Sequence, residues 1–159
     1  ISGNWGYLMS GQYDKTGTNW RLAQTPGQQQ ITDFLSNGRE FLEMSLDAGK
    51  EVVFMQDIPN LDFDIRSCYQ LRPTRLHFGK QDECSLSYPN YVTHVSKQRE
   101  VISKLLSAFP QVTVFDPEAL FCDAKICHYQ DDALPFYYNG DHVNWFGAGR
   151  VVKVLAELH

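Results

Sequence analysis

In Gly49-Lys50-Glu51-Val52-Val53-Phe54-Met55-Gln56-Asp57-Ile58-Pro59, a glycine and a proline bracket a short apolar run. Its start is β-branched, as suits a strand packed on a pleated, buried surface. Upstream, Ile31, Phe34, Leu35, Phe41, Leu42, Ser45 and Leu46 recur at helical intervals, with Gly38 as a break and Gly49 as the C-terminal stop. Helix, glycine and buried strand, in that order, form the return half of a βαβ unit.

The pattern repeats downstream. Tyr91, Val95, Val101, Ile102, Leu105 and Leu106 have helical spacing, Phe109-Pro110 ends it, and residues 111–116 read as a second buried strand stopped by Pro117. Alternating helices and strands predict an α/β fold with a mainly parallel sheet. Residues 1–9 read as the end of a strand entering a loop, with Trp5, Tyr7 and Leu8 inward, and residues 10–27 as surface loop. Residues 60–90 lose all periodicity. A loop of that length in a compact domain is expected to be stapled, functional, or both. The chain closes with a Phe136-Tyr137-Tyr138 strand, a polar turn Asn139-Gly140-Asp141-His142, and a helix from Trp145 through Leu158 with Asn144 at its N-cap.

Composition narrows the class. The chain has 159 residues, 43% of them hydrophobic, which is enough to fill one modest core. Fourteen Lys+Arg against 19 Asp+Glu give a net charge of −5. No basic cluster offers a face for phosphates, which argues against a nucleic-acid partner. No apolar run approaches the length of a membrane span.

Four cysteines, Cys68, Cys84, Cys122 and Cys127, allow three full pairings. Local spacing favours Cys68 with Cys84 and Cys122 with Cys127, which would place the domain in an oxidising compartment. Free buried thiols are the second reading. Zinc is the third, and it needs two tight pairs where only Cys122-x4-Cys127 comes close. No two histidines have metal-ligand spacing, so neither a metal nor another cofactor is expected.

Among groups that could carry chemistry, His142 stands out. It lies between a strand end and a helix start, where open α/β folds bind ligands, and imidazole exchanges a proton near neutrality. The competing reading is a surface histidine beside Asp141. Asn4 also sits at a strand exit, where a carboxamide could donate to an oxyanion; an ordinary turn is the alternative. His77, His94, His128 and His159 are weaker candidates. Asp57, Asp62 and Asp64 read as a solvated loop, or else as a substrate or cation contact. No Gly-Asp-Ser or Gly-x-Ser-x-Gly occurs, and Ser2, Ser10, Ser36, Ser45, Ser67, Ser85, Ser87, Ser96 and Ser107 lack the sharp strand-to-helix setting of a nucleophile.

Taken together, Ser2-Gly3-Asn4-Trp5, the 49–59 stretch, Val114-Phe115-Asp116-Pro117, Leu120-Phe121-Cys122, Cys127 and residues 134–147 follow one order. That order resembles the SGNH-like extracytoplasmic domain fused to the membrane-embedded acyltransferase-3 family, which includes O-acetyltransferases of bacterial surface polysaccharides. The resemblance implies a three-layer, flavodoxin-like sheet and a serine–histidine acyl-enzyme mechanism, with His142 as base and Asn4 as oxyanion donor. It also implies that residues 1–159 are the C-terminal portion of one domain, with the serine-bearing Gly-Asp-Ser block upstream of Ile1. The implied partners are an acyl donor, a glycan acceptor and the membrane-embedded domain of the same polypeptide, at the periplasmic face of a bacterial inner membrane.

The departure is at the acid. The family's Asp-x-x-His pattern places its aspartate at Asn139, which can hold an imidazole but cannot give an imidazolium a full counter-charge. Asp141 supplies charge, yet adjacent side chains rarely meet in the geometry of an i, i+3 turn. A weakened triad, an inactivating substitution, or a site oriented by another carboxylate are the explanations. From this count, Asn139→Asp in an otherwise complete domain is expected to raise esterase or transferase turnover. A non-catalytic glycan-binding or scaffolding domain with a degenerate site is the rival reading.

Overall fold

The computed structural model describes Trp5 and residues 27–63, 65–68, 84–132 and 134–158, with the side chains of residues 66 and 67 excepted. Among the described residues two compact units arise, the first from Trp5, residues 27–57 and Val92–Pro117, the second from residues 58–63, 65–68, 84–91, 118–132 and 134–158.

In the first unit, α1 (Gln28–Asp47) runs unbroken through Gly38. The expected break is absent because Gly38 serves packing: a Cβ there would stand 2.8 Å from Leu105 Cδ2, so the missing side chain lets the next helix approach. Gly49 does end the helix. At φ 69° it donates to Leu46 O at 2.9 Å while Lys50 N–H reaches Ser45 O at 3.0 Å, the paired bonds of a Schellman stop. Strand β1 (Val53–Met55) follows and pairs in parallel with a later strand, Thr113–Phe115, in the register Phe54 to Val114. Leu42, Val52, Phe54, Ile102, Leu105 and Val112 form the core between them, with Trp5 stacked on Phe54 at 4.7 Å.

In the second unit, α2 (Ile65–Cys68) and β2 (Leu86–Ser87) give structure to the segment expected to be all loop. Helix α3 (Tyr88–Leu106) begins there, three residues before the apolar periodicity does, and continues into the first unit. The Thr113–Phe115 strand is β3 in chain order. After it come α4 (Glu118–Phe121), β4 (Ile126–Cys127), β5 (Gln130–Asp131), β6 (Leu134–Pro135) and α5 (Trp145–Leu155). β2 pairs with β4 and β5 with β6, both antiparallel. The fold is thus α/β, but among the described residues it has one parallel and two antiparallel two-stranded sheets instead of a mainly parallel one. A tight turn joins β5 to β6, which two antiparallel strands allow and two parallel strands do not, whereas β2 and β4 are far apart in sequence and meet across the unit. The Phe136–Tyr138 strand reduces to a single bridge, Tyr137 to Val143, and α5 stops at Leu155, leaving Leu158 exposed. Residues 1–4 and 6–26 lie outside the described residues; within the expected N-terminal strand end, Trp5 is buried as expected but helical, not extended.

Both cysteine pairs are disulfides, Cys68–Cys84 and Cys122–Cys127, and no cysteine is free. Full reduction is expected to raise the mass by about 4 Da, one proton per sulfur, by mass spectrometry. An unchanged mass would mean free thiols. The shorter loop is held twice. Asp123 Oδ1 accepts from Ile126 N–H at 2.9 Å and Lys125 N–H at 2.6 Å, and Oδ2 lies 3.0 Å from His128 Nε2. The Ile126 amide, then the Lys125 amide and His128, hold the carboxyl at about 2, below its ordinary 3.8. Because the folded value is the lower one, the stabilisation it gives is complete above the ordinary value and is lost as pH falls from 3.8 through about 2. An NMR titration of the Asp123 carboxyl should show a midpoint near 2; one at 3.8 or above contradicts this capping.

Candidate functional site

The Tyr137–Val143 bridge closes the turn that carries His142, and Tyr138 N–H donates to His142 O at 2.7 Å. Inside the turn, Asn139 Oδ1 accepts from the backbone N–H of His142 at 2.7 Å and of Asp141 at 3.2 Å, an Asx turn. His142 Nδ1 lies 3.1 Å from that oxygen and 2.8 Å from Asp141 Oδ1. Both partners accept, so Nδ1 carries the proton, and the neutral ring keeps its lone pair on Nε2. The Asp141 side chain is 8% exposed and the imidazole 71%. A nearly sealed carboxylate therefore backs a largely exposed ring.

This corrects the expectation that adjacent side chains do not meet here. The Asx turn bends the main chain at Asp141 and His142, whereas an extended strand would send the two to opposite faces. Asn139, at the expected acid position, spends its oxygen chiefly on main-chain amides. Asp141 supplies the charge.

Asn144 anchors the turn. Its Oδ1 caps α5 by accepting from Phe146 N–H at 2.9 Å and Gly147 N–H at 3.2 Å. Its Nδ2 donates to Pro135 O at 2.7 Å, and its backbone N–H to Phe136 O at 2.7 Å. Gly147 lies against the same segment, where a Cβ would stand 2.3 Å from Phe136 O. Around the turn, Tyr138 is 76% exposed, Trp145 86% and Phe146 50%.

The family described as "SGNH domain (fused to AT3 domains)" matches residues 1–157. The chain belongs to this SGNH family. No curated protein and no solved structure matches it.

Within the SGNH domain, Asn4 lies outside the described residues, but its neighbour Trp5 is buried. Trp5 N–H donates to Asp57 Oδ2 at 3.1 Å and its indole N–H to Met55 O at 2.8 Å. Gln98 Nε2 also donates to Asp57. Asp57 is therefore no member of a solvated cluster: it lies two residues past β1, half-buried and bonded to Trp5 and to Gln98 of α3, while Asp62 is exposed and Asp64 lies outside the described residues. Sequence reasoning missed Gln98, a buried polar residue. Its signal was a glutamine four residues before Ile102 on the apolar stripe of a helix. His94 is exposed on α3, His128 is engaged by Asp123, and His77 and His159 lie outside the described residues. Tyr137 is structural as well: its hydroxyl donates to Pro59 O at 2.8 Å, and burial pushes the phenol well above its usual range.

Among the described residues, no three His, Cys, Asp or Glu side chains converge as metal ligands would. Among the same residues, no helix is long and apolar enough to cross a membrane.

Proposed function

We propose that this chain is a glycan-binding scaffold of a surface-polysaccharide O-acylation system, and that acyl transfer occurs on it only where a serine hydroxyl is brought to His142. The observation that supports this is the turn itself: an imidazole held at Nδ1, open at Nε2, and bordered by exposed Tyr138 and Trp145. Aromatic faces beside a polar group suit a sugar, which presents apolar C–H faces and a rim of hydroxyls. The partner set is a glycan acceptor, an acyl donor, the membrane-embedded domain of the same polypeptide, and an upstream segment carrying the serine. Two disulfides support an extracytoplasmic setting. On this reading β1 and β3 are neighbouring strands of a larger three-layer sheet.

When the site is complete, the serine oxygen attacks the acyl carbonyl, and Nε2 of His142 takes the hydroxyl proton. Asp141 stabilises the resulting imidazolium, and the Asn4 carboxamide donates to the oxyanion. The leaving group departs with the proton returned from Nε2. A sugar hydroxyl, or water as a side reaction, then attacks the acyl-serine while His142 again takes and returns the proton.

The test is to incubate the full-length protein with 4-nitrophenyl acetate and, separately, with oligosaccharides of the host's surface glycan. Glycan binding without turnover leaves the scaffold alone. Turnover lost in His142→Ala adds the transfer site, and neither binding nor turnover overturns both.

A further inference from the structure

Asn144 does two things with one side chain. Its Oδ1 serves the first turn of α5, as an N-cap should. Its Nδ2 points the other way, to Pro135 O at 2.7 Å with Tyr137 O at 3.4 Å, and its backbone N–H reaches Phe136 O. Capping needs only the first of these. The second binds the chain just after His142 to the chain just before Tyr138, at the open end of the turn that sets the ring. Beyond the side-chain clasp, the Tyr137–Val143 bridge with its two backbone bonds, the Asx turn of Asn139 and the bond from Leu61 N–H to Gly140 O at 2.7 Å hold the turn, and none of these depends on Asn144 Nδ2.

We infer that Asn144 is a positioning residue for His142: its amide nitrogen clasps the base of the turn and keeps Nδ1 on Asp141. The inference rests on the reading of His142 as the working group of the site, though not on turnover being observed. Serine at this position would accept from the α5 amides, but its side chain is too short to span helix and hairpin together.

Asn144→Ser and Asn144→Ala in the full-length protein separate the two jobs, read by 15N NMR of the His142 ring and by thermal melting. Serine is expected to recover most of the stability that alanine loses, yet in both variants the Nδ1–H tautomer should fall from the dominant form to a minor one. Where 4-nitrophenyl acetate is turned over, kcat should fall about ten- to hundredfold with KM unchanged, as for a misplaced catalytic group. A serine variant that keeps the wild-type tautomer overturns the clasp. Should Asn144→Ser fail to fold, Asn144→Asp keeps the cap oxygen and loses the donor, and the same ring signal decides. A wild-type protein without turnover counts against acyl transfer only; the tautomer result still judges the clasp.

Discussion

In the full-length protein, Asp141→Asn is expected to lower His142-dependent turnover of an acetyl ester about 10²- to 10⁴-fold, the range by which positioned acid–base groups act. Asn139→Ala should cost less than about tenfold. The contrast follows from the partners of Nδ1. Asp141 lies nearer and carries charge, and its nearly sealed side chain has little water to screen it. The Asn139 oxygen is shared among two backbone amides and the ring, and it is neutral. An amide at position 141 could still accept from Nδ1, but it would leave the imidazolium without a counter-charge. Steady-state kinetics on the two variants checks the order. Equal losses, or a larger loss at Asn139, contradict it. For the same reason Asn139→Asp, which the sequence pattern alone recommends as a gain of activity, should change the rate by less than about tenfold, since one carboxylate already serves the ring.

Gly147→Ala should destabilise the protein by about 3 kcal/mol, at the upper end of overpacking in a filled interior. A methyl carbon there would lie 2.3 Å from the Phe136 carbonyl oxygen and 2.9 Å from Val143 Cβ. Neither obstacle is the far end of a flexible side chain, so α5 or the hairpin must shift. For a chain of this size the melting temperature should drop by about 6–12 °C. A variant that melts with the wild type would mean that helix and hairpin lie farther apart than described. Gly149, with open space around the same test position, is the control.

The sequence makes some of this legible and hides the rest, for physical reasons. Gly49, Asn144 and the two short-range disulfides are local features, and each was readable because its partners lie within a few residues or its loop is short. The apolar runs around Phe54 and Val114 announced two strands, and the helices between them a parallel pairing, although Val114 is exposed and not buried as its run suggested. Gly38 misled, because a glycine that relieves a contact with Leu105 looks identical in sequence to one that ends a helix. Asp57 misled too and Gln98 was missed: their meeting joins the segment after β1 to a helix residue 41 positions away, which no local pattern encodes. At His142 the motif spacing pointed to Asn139 and could not show that the adjacent Asp141 reaches the ring too, because that contact depends on the Asx turn of Asn139 and not on a count of residues.

A 15N NMR measurement of the His142 ring, in wild type and Asp141→Asn, tests the pairing on which the site depends, and it needs neither substrate nor serine. At a pH where the ring is neutral, wild type should show the proton on Nδ1 and a bare Nε2, with that preference lost in Asp141→Asn. A neutral ring protonated on Nε2, or one indifferent to the substitution, would contradict it.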